Sequence, residues 1–305
     1  MIAMNSSQWE KNQLDREENT FKDSVELEKD LNKDFEDTKQ KILSDIALLI
    51  GIYAIEKKLI YQQTTKYVNP KEFEKWKNFF KNTIKKYYTK DENLEKKKML
   101  VELEMITNKK RAKRIEITNA TITANLVKYS DKFEKKLKNR IINTYKTTYK
   151  SLAKDLGIKK TLSDKAIKNM LEMPFAGSNF SKRIWGNTDK LATILKKEMT
   201  NNLIRGIDPQ KMIKNIAKKM DHKNINDVKR LVRTELNNAL NTITLNTYKT
   251  AGIKEYKFLA ILDSRTSQVC TTLNGNIFKV ENAIVGINYP PMHPNCRSTT
   301  VQVEF

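Results

Sequence analysis

The scarcest ligand-forming residues of this chain gather near its C-terminal end. Its 305 residues include two cysteines and two histidines, and one of each falls within the stretch YPPMHPNCRSTTV. There, His293 and Cys296 have an H-x-x-C spacing, and the neighbouring prolines restrict the backbone. Thiolate and imidazole groups are ligands that zinc prefers in proteins. The stretch therefore predicts either a metal corner or a tightly packed loop.

Four candidate metal ligands lie in this last part of the chain: Asp263, Cys270, His293 and Cys296. A structural zinc site takes four protein ligands, and only three of these are soft, so Asp263 or water would complete the set. Two other interpretations stay open. In the first, Cys270 packs as a hydrophobic residue and His293 bonds to the backbone. In the second, the two cysteines form a disulfide. The predicted cofactor is zinc or none.

The elements that must position these residues are mostly helices. Charged residues make up 31% of the chain, apolar residues 39%, and only eight glycines and six prolines interrupt it. This composition favours long, solvated helices. We predict a mainly α fold, with an elongated N-terminal helical region followed by a small α+β C-terminal module. Its strands are predicted at Glu255–Leu262, at Gly275–Val280 and in the alternating STTVQVEF end.

Cap chemistry predicts several helix ends. Asn69-Pro70 and Asp208-Pro209 each combine an N-cap side chain with proline at the first helical position. Gly157, Gly206 and Gly252 are predicted helix stops. These residues predict where the chain turns between its long helices.

Three further helix boundaries rest on weaker signals. A new helix is predicted to start at Lys41, and another to end near residue 129, where Ser130 would cap the next one. The stretch MDHKN is predicted to be a turn, with His222 a solvated loop residue and a helix opening near Asn226.

Charge and helix-breaking residues divide the chain into four predicted parts. These are an acidic N-terminal helix at 1–40, a basic helical domain at 41–170, a hinge at 171–187 and the C-terminal module at 188–305. The hinge is predicted because Pro174, Gly177 and Gly186 interrupt the helical pattern.

The net charge of +22 is unevenly placed along the chain. Residues 41–252 carry +26, whereas residues 1–40 carry −5. Such a basic block predicts non-specific contact with double-stranded DNA, although a lysine-rich chain can also use these charges to solvate its helices. The most apolar run, Ile46–Ile55, is shorter than the roughly 20 residues that cross a bilayer, and no secretory signal is recognised. No membrane contact is predicted.

The C-terminal motifs resemble those of the phage minor head protein, or head morphogenesis, family with its Mu F-like domain. The resemblance rests on D-S-R-T-S-x-x-C-x-x-L-N-G-x-x-F (Asp263–Phe278) and P-P-M-H-P-N-C-R (Pro290–Arg297). Upstream, Leu203–Ala217, Val232–Asn241 and Tyr248–Ile253 are similar to the family in order and spacing. The match covers about residues 185–305. Its motif residues include Arg233, Glu235, Arg265, Gly275 and Arg297.

The resemblance implies a structural protein of the tailed-phage procapsid. It implies a place in the virion, at the portal vertex and inside the capsid, and in the host cytoplasm during assembly. The portal protein and the major capsid or scaffolding protein are the implied partners, with roles in head assembly and in DNA packaging or ejection. Family members often end in C-R-C, whereas this chain has Ser298 in place of the second cysteine. No catalytic role is implied.

An enzyme is the alternative prediction. Arg233 and Glu235 lie two residues apart and so cannot pair on one helix face. They could serve a nuclease or ADP-ribosyl-transfer site, with Arg233 reaching Asp263, or they could belong to a buried ion-pair network that fixes their helix to the C-terminal module. A metal-dependent nuclease would use Asp263, His293 and the cysteines, with Arg297 against phosphate. Magnesium sites take mainly oxygen ligands, and this cluster offers one carboxylate. We therefore expect no enzyme.

Overall fold

Long helices dominate the computed structural model, which describes residues 6–51, 65–88 and 93–303 and, for residues 50–51 and 222–226, the backbone alone. The described helices are α1 (Ser6–Gly51), α2 (Pro70–Tyr87), α3 (Leu94–Thr107), α4 (Arg114–Asp155), α5 (Asp164–Glu172), α6 (Phe180–Ile204), α7 (Pro209–Ala251) and α8 (Gln268–Leu273). None of these helices combines the length and the apolar character needed to cross a membrane.

A small antiparallel sheet follows the last long helix. Its strands β1 (Glu255–Leu259), β2 (Ile277–Lys279) and β3 (Thr299–Gln302) lie in the order β2-β1-β3. Tyr256 of β1 pairs with Phe278 on one side and with Gln302 on the other. The predicted fold class, a long helical N-terminal region followed by a small α+β C-terminal module, is confirmed.

The predicted caps lie at the observed helix ends. Asn69 accepts a hydrogen bond from the Lys71 backbone N–H at the start of α2, and Asp208 accepts from Gln210 and Lys211 at the start of α7. Gly157, Gly206 and Gly252 follow the ends of α4, α6 and α7 with φ values of 66°, 61° and 73°. Glycine suits these positions because a side chain disfavours positive φ.

The three weaker boundary predictions are wrong. Helix α1 continues through Lys41, and the part of the predicted helix beyond Gly51 lies mostly outside the described residues. The break expected at Ser130 falls instead at residues 108–113, between α3 and α4. Ser130 is buried inside α4 and bonds the Thr188 hydroxyl at 2.5 Å, so its hydroxyl is satisfied by tertiary contact rather than by capping.

The stretch MDHKN is helical, because α7 runs without a break from Pro209 to Ala251. No glycine or proline occurs between Gln210 and Ala251, and apolar residues recur on both sides of the stretch, so nothing stops the helix. His222 therefore has a helical backbone, and its side chain lies outside the described atoms.

The chain groups into two compact units, each built from several segments. Unit 1 comprises Met1–Lys29, Lys135–Phe180 and Val228–Phe305, and unit 2 comprises Asp30–Glu134 and Ser181–Asp227. One change of unit, between Phe180 and Ser181, falls inside the predicted hinge at 171–187. The boundaries of the four predicted parts stay predictions.

Buried tyrosines in unit 1 fix the loop that carries the C-terminal histidine and cysteine. The hydroxyls of Tyr248 and Tyr289 donate to the carbonyls of Thr300 and Asn241, each at 2.9 Å. The rings of Tyr256 and Tyr289 meet edge to face at 5.2 Å. Because full burial of an aromatic side chain contributes about 1.5–3 kcal/mol, this group holds the loop firmly against α7 and the sheet.

Candidate functional site

Cys270, His293 and Cys296 come together in unit 1, and their ligand atoms all lie within 4.8 Å of one another. The Cys270 sulfur is 3.8 Å from the Cys296 sulfur and 3.3 Å from His293 Nε2. The two sulfurs are not bonded to each other. Both cysteines also pack against buried Phe258. The cluster therefore combines the predicted apolar packing of Cys270 with the predicted convergence of metal-ligand atoms.

Separate elements deliver these three residues. Cys270 lies in the first turn of α8, where the Ser267 side chain caps the helix by accepting from the Cys270 N–H. His293 and Cys296 lie in the loop before β3, and the Cys296 N–H donates to the His293 carbonyl at 3.1 Å. Asn295 between them has a φ of 62° and donates its backbone N–H to the Thr234 hydroxyl of α7. The loop is therefore fixed on both sides of the cluster.

Hydrogen bonds orient the His293 ring. Its Nδ1 lies 2.9 Å from the Pro294 carbonyl oxygen, which can only accept, so Nδ1 carries the hydrogen. Nε2 then presents its lone pair towards Ser267 Oγ at 2.8 Å and towards the Cys270 sulfur. This is the tautomer that binds a metal ion through Nε2.

The two thiols share their protons unequally. The hydrogen bond from the Cys296 thiol lowers the Cys270 pKa to about 5. The interaction with Cys270 and burial raise the pKa of Cys296. Cys270 is therefore the thiol of the pair that loses its proton first.

Asp263 does not join the cluster, contrary to the predicted four-residue set. Its Oδ2 accepts from Arg265 at 2.6 Å and from Arg297 at 3.0 Å. The hydrogen bonds from Arg265 keep the pKa of Asp263 below its usual range. Two guanidinium groups therefore hold the carboxylate that was expected to be the fourth ligand.

Arg233 and Glu235 also depart from prediction. Arg233 forms a two-pronged ion pair with Glu28 of α1, at 2.6 and 3.0 Å, rather than reaching Asp263. Glu235 is buried and lines another pocket, beside Tyr145, where burial and the Glu235 charge raise the pKa of the tyrosine. The network expected to tie this helix to the C-terminal module instead ties Arg233 to α1.

An open cleft of about 480 Å³ lies beside the cluster. Phe21 of α1 forms part of its wall, and three guanidinium groups lie over its ring, those of Arg297 at 4.4 Å, Arg233 at 4.9 Å and Arg265 at 6.0 Å. Cation–π attraction favours this arrangement. Sequence reasoning missed Phe21 because no local pattern links an N-terminal helix to a C-terminal loop.

Glu17 is a second residue that the sequence did not reveal. It is 2% exposed, and its Oε2 has no hydrogen-bond partner among the described residues. Burial raises its pKa to about 7, although Arg297, whose Nε lies 3.5 Å from Oε1, acts in the opposite direction. The cleft is therefore backed by a carboxyl group that titrates near neutral pH.

Comparison with known protein families finds a match to the C-terminal part of the chain. Residues 193–301 match the family described as phage Mu protein F like protein. This segment, about a third of the chain, is similar to that family and is here named the Mu F-like domain.

A curated protein that the chain is similar to is the NAD(+)--arginine ADP-ribosyltransferase EFV of Enterococcus faecalis. The two are 29% identical over 154 residues, which are 45% of this chain and 31% of the other. This chain thus spans about a third of the length of that relative. No solved structure matches the chain.

The Mu F-like domain includes most of the residues around the cleft. Arg233, Arg265 and Arg297 lie within residues 193–301, as do the cysteines and His293. Gly275, another predicted motif residue, has a φ of 83°. Its N–H donates to the Phe258 carbonyl. Glycine is favoured there because the turn after α8 requires positive φ. Phe21 lines the cleft from outside the domain, and Glu17 and Glu28, also outside it, pair with Arg297 and Arg233.

A second candidate site lies outside the Mu F-like domain, in unit 2. Residues 108–113, here named the basic turn, join α3 to α4 and expose four cationic side chains, those of Lys109, Lys110, Arg111 and Lys113. The guanidinium of Arg111 lies 4.1 Å from the ring centroid of Tyr67, which is 49% exposed. An exposed aromatic ring beside clustered cations suits contact with nucleic acid.

The basic turn is rigidly attached to its unit. Its backbone pairs with residues 66–68, where Val68 donates to Ala112 and Arg114 donates to Lys66 at 3.1 and 3.0 Å. Directly after the turn, buried Arg114 forms two hydrogen bonds with Glu72 of α2, at 2.9 and 3.0 Å. Lys109 of the turn pairs with Glu116 in the first turn of α4. The cationic side chains are therefore held on a fixed backbone.

Proposed function

We propose that this chain is a minor head protein of a tailed phage, associated with the portal inside the capsid, where it contacts packaged double-stranded DNA. It would aid head assembly and DNA packaging or ejection. Its partners would be the portal protein and the major capsid or scaffolding protein, and it would occupy the host cytoplasm during assembly. The observation that carries this proposal is the Mu F-like domain at residues 193–301.

Charge supports the DNA contact. Residues 41–252 carry a net +26, and the basic turn presents four of these charges on a fixed backbone beside Tyr67. Cations bind phosphates by releasing counterions, which gives affinity without sequence preference. A protein that lies against packaged DNA needs this kind of binding because the sequence beside it varies.

Cross-linking of purified procapsids tests the location. We expect the chain to be present in fewer copies than the major capsid protein and to cross-link to the portal protein. Cross-links within the capsid shell serve as the internal control, because they should form whether or not this chain is bound. Absence from procapsids, or cross-links confined to proteins of the outer capsid surface, would contradict the proposal.

A metal-dependent nuclease is the weaker candidate. The ligand atoms that converge are two sulfurs and one nitrogen, whereas magnesium takes oxygen ligands, and Asp263 is already held by Arg265 and Arg297. Incubating plasmid with the purified chain and divalent metals tests it. Cleavage that disappears in Asp263→Ala but persists in Asp15→Ala, a change to an exposed residue on α1, would support a nuclease.

Similarity to EFV raises ADP-ribosyl transfer as another activity, because that relative is described as an NAD(+)–arginine ADP-ribosyltransferase. Arg233 and Glu235 are the residues that the sequence offered for it. Arg233 is bound by Glu28 on the cleft side, whereas Glu235 lines the pocket beside Tyr145. Since the two side chains do not share a pocket, we propose no transferase site.

A further inference from the structure

We propose that Cys270, His293 and Cys296 bind one zinc ion, with the fourth coordination position facing the cleft beside Phe21. The site would join α8 to the loop that precedes β3. It does not depend on where the protein lies in the virion.

The distances fit a tetrahedral zinc ion. Zinc lies at about 2.3 Å from thiolate sulfur and about 2.0–2.1 Å from imidazole nitrogen, so tetrahedral angles place two sulfurs about 3.8 Å apart and sulfur and nitrogen about 3.6 Å apart. The observed separations are 3.8 Å between Cys270 and Cys296 and 3.3 Å between Cys270 and His293 Nε2. The third pair, Cys296 and His293, lies within 4.8 Å, so an ion fits between the three atoms once the imidazole moves towards Cys296.

The surroundings of the ligands suit a metal centre. Nδ1 of His293 is bound to the Pro294 carbonyl, which leaves Nε2 as the ligand atom, and the Ser298 backbone N–H donates to the Cys296 sulfur at 3.4 Å. Bonds of this kind orient ligands and stabilise thiolates. A disulfide would require the sulfurs to approach to about 2.05 Å.

The fourth position opens towards solvent. Cys270, His293, Ser267 and Ser298 line the cleft, whereas Cys296 lies on the buried side of the cluster. Asp263 is held by two arginines, so water or the Ser267 hydroxyl, 2.8 Å from Nε2, takes the remaining position. The site thus has three protein ligands and one exchangeable face.

Metal analysis of the full chain tests the proposal. After expression with added zinc and dialysis against metal-free buffer, we expect about one zinc per chain. Cys270→Ser, Cys296→Ser and His293→Gln should each lose it, whereas His222→Gln, which changes the other histidine, should keep it. Because a ligand variant can fail to fold, the wild-type chain is also stripped with a chelator and titrated with cobalt(II), which should give thiolate-to-cobalt charge-transfer absorption.

Three outcomes would overturn the zinc site. In the first, the reduced wild-type chain binds neither zinc nor cobalt(II). In the second, all three ligand variants retain zinc at full stoichiometry. In the third, Cys270 and Cys296 form a disulfide in protein that was expressed in the cytoplasm and purified with a reducing agent. A thiol count separates the last case, because a chelator should release two reactive thiols from the zinc-bound chain and none from a disulfide.

Discussion

Arg297 lies over the ring of Phe21, with its guanidinium carbon 4.4 Å from the ring centroid. One residue comes from the first helix and the other from the loop before the last strand, so this contact joins the N-terminal helix to the Mu F-like domain within unit 1. Arg233 lies over the same ring at 4.9 Å. The aromatic ring lets two cations approach each other closely, because each is attracted to the ring quadrupole.

Replacing Phe21 should therefore lower the free energy of unfolding by more than the loss of buried apolar area alone would. Each cation–π contact contributes about 0.5–2 kcal/mol, so we expect Phe21→Leu to lower the free energy of unfolding by roughly 1–3 kcal/mol. Urea denaturation measures this loss. In a chain that already carries Arg297→Gln, the same replacement should cost less, and equal costs in both backgrounds would show that Phe21 and Arg297 are not coupled.

Glu17 should make stability depend on pH. Burial raises its pKa from 4.5 to about 7, so between these values the folded chain keeps a proton that the unfolded chain has released. The contribution of Glu17 to stability is then complete below pH 4.5 and is lost as the pH rises from 4.5 through 7, by up to about 3 kcal/mol. Relative to wild type, Glu17→Gln should flatten the curve of unfolding free energy against pH.

The neighbouring carboxyl provides the control for that experiment. Glu18 is exposed and pairs with Lys22, which lowers its pKa. Glu18→Gln should therefore leave the loss of stability between pH 4.5 and 7 in place. If Glu17→Gln and Glu18→Gln give the same pH curve, burial of Glu17 does not raise its pKa as described.

The basic turn should account for part of the DNA affinity. On duplex DNA, the slope of log K against log salt changes by about 0.9 for each phosphate contact, so replacing Lys109, Lys110, Arg111 and Lys113 by alanine should reduce the slope by roughly 2–4. Fluorescence anisotropy with random-sequence duplexes measures it. The matched control replaces four exposed lysines of α7, at positions 211, 214, 218 and 219, and removes the same charge. Equal effects of both sets would mean that net charge alone sets the affinity.

Protease should cleave first between α5 and α6. Residues 173–179 are not helical, and Met173 is 61% exposed, so this segment can enter a protease more readily than the helices on either side. Unit 1 combines residues 135–180 with residues 228–305, which follow the cut in the sequence, so we expect the nicked chain to elute as one species in gel filtration. Mass spectrometry locates the cut. Early cleavage inside 228–248, in the middle of α7, would contradict the predicted hinge at 171–187.

The helix ends and strands could be predicted from the sequence where the residues that determine them lie close together in the chain. Asn69, Asp208 and Gly252 were predicted to delimit helices because cap chemistry acts within a few residues, and the strands followed from alternation and the Asn274-Gly275 turn. Ser130 and the MDHKN stretch were misassigned because tertiary packing overrode weak local preferences.

The candidate site shows the same limit. Cys270, His293 and Cys296 could be grouped because the rigid H-x-x-C loop and a nearby cysteine are visible in the sequence. The partners of Asp263 and Arg233 could not all be predicted, since Arg297 and Glu28 come from distant parts of the sequence. The guanidinium groups of Arg265 and Arg297 favour the charged form of Asp263, which holds this carboxylate in ion pairs.

Ser298 offers a test of where the fourth zinc position lies. Ser298 lines the cleft together with Cys270, so a thiol at this position would stand beside the proposed ion. We expect Ser298→Cys to bind zinc at least tenfold more tightly than wild type, about 1.4 kcal/mol, in competition with a chromogenic chelator. Ser264→Cys adds a thiol at an exposed position of the loop after β1 and should leave the affinity unchanged. If both variants bind zinc as wild type does, the fourth position does not lie at Ser298, and water or the Ser267 hydroxyl completes the site.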